Sequence, residues 1–133
     1  MTGEDRTALA WAAGVFDGEG YIGSKIRKTP GGRRNPYIHM SVSQYHDAEV
    51  VERFTAALGI GTCSVRHRET PRGPVVESLW RVQSFEKVQA AVALLWPWLS
   101  GPKRRQAVQA LQSFHGEREV LGVREWRRRT ASA

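Results

Sequence analysis

The sequence predicts an α+β domain, a four-stranded antiparallel sheet carrying helices on one face. Three observations carry this. The apolar period switches from helical to two-residue spacing twice along the chain, in the same order each time. Pro/Gly clusters at 30–32 and 71–74 stand between paired two-residue stretches, which marks hairpins. Hairpins separated by helices pack as one helix layer on an antiparallel sheet. At 133 residues with 41% hydrophobic content, residues 1–133 read as a single domain, with no linker or low-complexity stretch dividing them.

The first helix is expected from about Asp5, placed to cap it, to Asp17, with Leu9, Ala12, Ala13 and Phe16 at helical spacing. Gly18 and Gly20 close it. From Tyr21 the period is two: Ile22 and Ile26 face one way, Tyr21, Gly23, Lys25 and Arg27 the other. After the Pro30-Gly31-Gly32 turn, Ile38, Met40 and Val42 alternate with Tyr37, His39, Ser41 and Ser43, which completes a half-buried hairpin.

Asp47 is placed to cap a second helix, with Val50, Val51, Phe54 and Leu58 as its stripe and Gly59 at its end. In the second hairpin Cys63, Val65 and His67 are expected to point inward and Ser64, Arg66 and Arg68 outward. Beyond Pro71-Arg72-Gly73-Pro74, Trp80 and Val82 oppose Glu77, Arg81 and Gln83. A third helix is expected from Ser84 to about Trp96, burying Val88, Ala91, Val92 and Leu95. After the break at Pro97 a fourth runs from about Pro102 to His115, with Ala107, Val108, Leu111 and Phe114 inside and Gly116 as its stop. From Glu117 to Arg129 the pattern is helical but interrupted by Gly122, and Thr130–Ala133 is expected to fray.

Charge narrows the function. Twenty Lys+Arg against thirteen Asp+Glu leave +7, and sixteen of the twenty are arginine. Arginine's planar fork suits phosphate and guanine edges better than lysine's point charge does. Nucleic acid is the leading partner, with a basic ribosome-like or membrane-surface protein as the other compositional fit. The single cysteine, Cys63, excludes an internal disulfide and a multi-cysteine zinc site. Met1-Thr2-Gly3-Glu4-Asp5 lacks the layout of a signal peptide, and no apolar run approaches the ~20 residues of a membrane span. The expectation is a soluble intracellular protein, cytoplasmic or organellar, with no membrane partner.

The outward residues of the four strands form one set. Lys25, Arg27, Tyr37, His39 and Ser41 come from the first hairpin, and Ser64, Arg66, Arg68, Arg81 and Gln83 from the second, with Glu77 the only acid among them. Tyr21 shares the face of Lys25, and Lys28, Arg33 and Arg34 lie around the first turn, at the rim where phosphates pass. An ordinary solvated sheet face mixes charge signs more evenly. A positive, hydrogen-bonding face of this width suits a DNA groove, where arginine and lysine read guanine and amides read adenine.

Residues 12–20, Ala12-Ala13-Gly14-Val15-Phe16-Asp17-Gly18-Glu19-Gly20, are physically odd in two ways. Gly14 and Gly18 stand four apart on one helix face with Ala10 a turn earlier, although glycine costs ~1 kcal/mol inside a helix. Close approach of another backbone explains them, either a partner helix or a tight spot against the chain's own sheet. Asp17 and Glu19 sit where the helix dipole disfavours negative charge. A hard divalent cation with oxygen ligands compensates such carboxylates; the alternative is a polar turn with an acid accepting backbone N–H bonds.

This segment resembles the LAGLIDADG homing endonuclease motif, with Ala12 to Gly20 at its nine positions. Gly14, Asp17, Gly20 and Ala13 match; Val15 and Phe16 are apolar replacements, Ala12 replaces the leading leucine, and Glu19 replaces the final aspartate. The αββαββα order, Gly59-Ile60-Gly61 after the second helix and Trp96-Pro97-Trp98-Leu99 before a basic helix start extend the likeness over most of the chain. The resemblance implies a saddle-shaped antiparallel sheet and a metal-dependent endonuclease that cuts double-stranded DNA. With one motif, it implies a homodimer on a long pseudo-palindromic site, in the service of intron or intein mobility.

By the same resemblance Glu19 from each subunit binds Mg²⁺, with Mn²⁺ or Ca²⁺ able to replace it for binding. The backbone carbonyl of Gly18 is a second ligand, and Asp17 is more a structural residue than a ligand. Lys103 and Gln44 stand where the family has a lysine near the reaction-centre water and a water-positioning polar residue. Ala10, Ala13, Gly14, Asp17 and Gly18 are the expected dimer contacts.

Other readings remain beside this one. A non-cleaving DNA-binding protein or an RNA maturase uses the same scaffold. Lys103-Arg104-Arg105 alternatively holds phosphates, and Gln44 is alternatively a plain strand-end amide. Tyr21-Ile22-Gly23 matches half of a GIY-YIG signature but has no Gly-Ile-Tyr strand before it, and Tyr21 stands where a PD-(D/E)xK nuclease needs lysine. Cys63 and His67 have no evident partner pair for a metal. Trp11, Trp80, Trp96 and Trp98 read as core or interface aromatics, Trp126 as a packing residue of the tail, and Arg127-Arg128-Arg129 as a solvated or phosphate-touching run.

Overall fold

The computed structural model describes the backbone of residues 1–131 and the side chains of residues 1–116. Its elements are α1 (Gly3–Glu19), β1 (Gly20–Lys28), β2 (Arg34–Tyr45), α2 (Glu49–Leu58), β3 (Thr62–Thr70), β4 (Gly73–Val82), α3 (Phe85–Leu95), a 3-10 turn (Trp96–Trp98) and α4 (Gly101–Ala131). The four strands form one antiparallel sheet in the order β1-β2-β4-β3. This is the α+β arrangement that the periodicity predicts.

The core lies between the sheet and the helices. Leu9, Ala12, Ala13 and Phe16 of α1 meet Ile22, Ile38, Met40 and Val42 of the first hairpin and Trp80 and Val82 of β4. Trp80 is fully buried, packs edge-on against Phe54 at 4.8 Å, and donates its Nε1–H to the Ile60 carbonyl at 2.9 Å. A buried indole needs that partner. Phe85 stacks on Phe114 at 5.5 Å and joins α3 to α4.

The ends of the helices refine the sequence reading. Thr2, not Asp5, is the N-cap of α1: the Thr2 hydroxyl accepts from the Asp5 N–H at 3.1 Å, and the Asp5 carboxylate accepts from the Thr2 N–H at 2.9 Å. This reciprocal capping box places the acid three residues inside the helix. The Thr2 backbone N–H, and then its hydroxyl, hold the Asp5 carboxyl below its ordinary value. Ala48 is the formal N-cap of α2, while Asp47 still accepts from the Glu49 N–H at 3.0 Å. Gly59 closes α2 in the left-handed region, at φ 69°. Ser84, where the third helix is expected to start, is its N-cap, accepting from the Lys87 N–H.

Two burial expectations fail for positional reasons. Cys63, Val65 and His67 share the helix-side face of β3 with Trp80, Ser78 and Val76, yet all three are exposed. β3 is an edge strand, and the helix layer does not extend over it. In α4 the buried positions are Ala107, Ala110 and Phe114 with Leu111 at the margin, whereas Val108 is 39% exposed, one step round the helix from the stripe. Gly116 does not stop α4, which continues to Ala131. One glycine costs a long helix only ~1 kcal/mol. The expectations for Trp126, Arg127–Arg129 and the fraying end lie outside the described side chains.

Candidate functional site

The end of α1 organises the site. Glu19 is its last residue, and Gly20, the C-cap, turns directly into β1 with extended backbone. A Cβ on Gly20 would collide with the Phe16 ring, so the chain leaves the helix over a buried aromatic with no room for a side chain. Both Asp17 oxygens accept the Ser100 N–H, at 3.1 and 3.2 Å. Ser100 precedes α4, and its hydroxyl and carbonyl accept from the N–H groups of Lys103 and Arg104. Asp17 therefore fastens the end of α1 to the start of α4.

That fastening places Lys103. Its Nζ donates to the Gly20 carbonyl at 2.6 Å and lies 5.5 Å from the centre of the Phe16 ring. Arg104 is occupied differently: its guanidinium donates to the carbonyls of Trp96 and Pro97, both at 3.1 Å, and covers the Trp96 ring. Gly20 pairs with Val42 in the β1–β2 ladder, and Gln44 lies two residues beyond Val42 along β2, ~6–7 Å from it. Gln44 is half-buried on the helix side, and its carbonyl accepts from Ser78 at 3.5 Å. Glu19 and Lys103 thus meet at one junction from two elements, with Gln44 further along the neighbouring strand.

The carboxylates at this junction differ. Asp17 is committed to Ser100, whereas among the described residues no hydrogen bond or ion pair engages the exposed Glu19. A carboxylate beside the carbonyls of a helix's last turn, Gly18 included, is an all-oxygen donor set that suits a hard divalent cation. It is a partial set. Among the described residues no group of three metal-ligating side chains occurs, and Glu19 with the Gly18 carbonyl falls short of the six or more oxygens such a cation takes.

The outer side of α1 is bare. Gly14 and Gly18 are exposed, and nothing lies within 4 Å of a Cβ placed on either. The chain's own sheet is therefore not the close neighbour that Gly14 requires. Ala10 is half-buried a turn before Gly14. Ala13, expected among the partner-facing residues, is instead fully buried in the core, and Asp17 is committed to Ser100. The open stripe is Ala10, Gly14 and Gly18.

The strand register confirms the division of faces. On the side away from the helices β1 presents Tyr21, Lys25 and Arg27, β2 Tyr37, His39 and Ser41, β3 Ser64, Arg66 and Arg68, and β4 Glu77 and Arg81, while Gln83, just past the end of β4, donates to the Tyr37 hydroxyl. Lys28, Arg33 and Arg34 are exposed around the β1–β2 turn.

Two features of this face escape the sequence. Glu77 is not a stray acid: its two oxygens take Arg66 at 3.0 Å and Arg68 at 2.9 Å. The register sets Glu77 opposite Arg66, and only the three-dimensional pairing reveals the clamp. In the middle of the sheet the rings of Tyr21, His39 and Tyr37 form a ladder, His39 lying 4.9 Å from Tyr21 and 5.0 Å from Tyr37. The Arg27 guanidinium covers Tyr37 at 3.8 Å, and Lys25 lies 5.9 Å from the Tyr21 ring centre. Burial first, then the nearby charges of Lys25, Arg81 and Arg27, hold the His39 pKa below its ordinary value. Among the described residues no helix is long and apolar enough to cross a membrane.

Solved structures with the same arrangement are homing endonucleases. One is I-CvuI in complex with the I-CreI target in the presence of Mg, with DNA not cleaved. It shares 25% identity over 86% of this chain and 69% of its own, with a TM-score of 0.68. I-CvuI in complex with its own target in the presence of Ca matches at 24% identity over the same shares, with a TM-score of 0.66. The group I intron-encoded I-CeuI complexed with DNA matches 91% of this chain and 56% of its own at 14% identity and a TM-score of 0.60. No protein-family model matches the chain, and no curated protein does. The fold is that of the LAGLIDADG homing endonucleases, as residues 12–20 imply, and the 133-residue length is consistent with the single-motif type.

The Asp17 link makes a prediction about stability. Asp17→Ala removes a charged acceptor from a half-buried N–H and is expected to destabilise the fold by about 2 kcal/mol, read from the midpoint of urea unfolding. Glu19→Ala, which breaks no such bond, is expected to leave that midpoint within the error of the measurement.

Proposed function

We propose that this chain is a site-specific double-strand DNA endonuclease of the single-motif homing type, working as a homodimer with divalent metal. One observation carries the proposal: Glu19, a carboxylate without a partner among the described residues, ends α1 beside the Gly20 carbonyl that Lys103 holds, where the strand bearing Tyr21, Lys25 and Arg27 begins. A protein that only bound DNA would gain nothing from an unpaired acid beside phosphates, and repulsion would weaken its grip. The same observation sets cleavage above a non-cleaving binder or an RNA maturase. The neighbouring structures of I-CvuI in complex with the I-CreI target and with its own target support DNA as the substrate.

In this reading Lys28, Arg33 and Arg34, exposed around the β1–β2 turn, neutralise backbone charge at the rim, while the outward arginine, lysine and amide side chains of the strands meet base edges. Two copies joined through Ala10, Gly14 and Gly18 bring their Glu19 residues together, which completes the donor set that one chain lacks. Glu19, with the Gly18 carbonyl, would hold Mg²⁺, with Mn²⁺ or Ca²⁺ able to replace it for binding. When bound, such an ion supplies charge stabilisation at phosphorus and an activated water.

In hydrolysis a water oxygen bonds to phosphorus, the bond to the 3′ oxygen breaks, and that oxygen takes up a proton. Lys103 spends one of its three N–H groups on Gly20 and keeps two for the charge that develops on the phosphate. The Gln44 amide, two residues along β2 from the junction, orients the attacking water.

Three outcomes are expected. Glu19→Gln keeps DNA binding but loses cutting by roughly a hundredfold or more, in a plasmid cleavage assay beside a gel-shift titration. Cutting near the wild-type rate would remove Glu19 from the site. Gly14→Leu gives monomers in sedimentation velocity where the wild type gives dimers, because a branched side chain keeps the two α1 helices apart. Glu77→Gln tightens non-specific binding at low salt, steepens the dependence of affinity on salt by about one charge, and blurs base preference near Arg66 and Arg68.

A further inference from the structure

His39 differs from every other outward residue of the sheet. It occupies the centre, between two tyrosine rings, with Lys25 and Arg27 facing it from β1 and Arg81 from β4. Among the described residues only cations act on it, and Glu77, the acid of this face, is engaged by Arg66 and Arg68. Its Nδ1 is sealed from solvent and has no hydrogen-bond partner among the described residues. Its Nε2 is neither sealed nor bonded there.

These facts fix which proton the ring carries. An N–H at Nδ1 would be a buried donor without an acceptor, which costs more than a bare ring nitrogen in the same place. Charging the ring would require that N–H and would add a positive charge among three others. The ring is therefore neutral, with its single proton on Nε2, where it meets whatever covers the sheet. The direction of its pKa agrees: burial and the neighbouring Lys25, Arg81 and Arg27 disfavour the charged form. The two tyrosines limit its tilt, and Tyr37 is itself held by the Gln83 amide, which donates to its hydroxyl at 3.4 Å.

A fixed, neutral, single-donor group reads bases differently from its neighbours. Arginine takes guanine through two acceptors, and amides take adenine through a donor and an acceptor. One N–H takes a single acceptor in the major groove, guanine O6, thymine O4 or a purine N7, and of these the purine N7 is the one that adenine and guanine share. Resting on the reading of this face as a DNA interface, we propose that His39 is a specificity-determining residue that donates from Nε2 to a purine N7. Each half-site then has one position that demands a purine without choosing between adenine and guanine.

The test uses the full-length chain and needs no prior target. Selection from a randomised duplex library gives the half-site, and 7-deazapurine, which replaces N7 by a carbon, is then placed at each purine in turn. At one position with mixed adenine and guanine the analogue is expected to weaken wild-type binding roughly fivefold, and to leave His39→Ala binding unchanged. His39→Gln, which keeps a polar side chain in the ladder, is expected to turn that mixed preference toward adenine. If His39→Ala shows the same purine preference and the same loss with the analogue, the assignment is overturned while the DNA interface stands. Nitrogen chemical shifts of the His39 ring in the free protein read the tautomer directly: a proton on Nδ1, or a charged ring at neutral pH, overturns it as well. If the wild type binds no duplex at all, the reading of the face fails, and this assignment with it.

Discussion

The bond from the Ser100 N–H to the Asp17 carboxylate is the constraint on which the site depends. A carboxylate at a helix C-terminus opposes the local dipole, and here a backbone donor from another element offsets that cost. Ser100 in turn opens α4, so one contact fixes the end of one helix and the beginning of another. Lys103 follows within a turn and reaches the Gly20 carbonyl. The acid that looks misplaced in isolation is what brings residues more than eighty positions apart to one junction.

The sheet face shows a second division, between charge that is free and charge that is spent. Arg66 and Arg68 share Glu77, so their side chains are held in place at the cost of some of their attraction for an anion. Lys25 and Arg27 lie over tyrosine rings, which orient a cation without neutralising it. The β3–β4 half of the face is thus organised by ion pairs and the β1–β2 half by stacked rings. Net positive charge alone would steer a polyanion to the face. Ordered side chains are what the proposed discrimination between sequences requires.

Most of the fold was legible because alternation is a strict rule. Once Ile38, Met40 and Val42 face the core, Tyr37, His39 and Ser41 have no choice, and the register extends the assignment across the sheet. The pattern at 12–20 likewise placed the helix end within two residues, and the resemblance it carries implied a structural role for Asp17, which accepts the Ser100 N–H. What alternation cannot report is how far the helix layer reaches. Cys63 and His67 point to the correct side, but the sheet outruns its cover there. Val108 shows the same limit on a helix, where a rotation of one residue decides whether a small apolar side chain meets core or solvent, whereas Ala13 lies in the core as its helical spacing predicts and only the family resemblance set it among partner contacts. The Glu77 clamp and the tyrosine–histidine ladder were illegible because both are cross-strand contacts, set by side-chain reach and not by spacing along the chain.

Asp17 and Glu19 stand two residues apart yet would fare differently under mutation over generations. Losing Asp17 is expected to weaken the fold, so any task at all depends on keeping it. Among the described residues Glu19 bonds to nothing, and a lineage no longer rewarded for its proposed chemistry would shed it unnoticed. Descendants of such a lineage would keep their shape while becoming inert, and an inventory of these proteins by architecture would count the retired with the working.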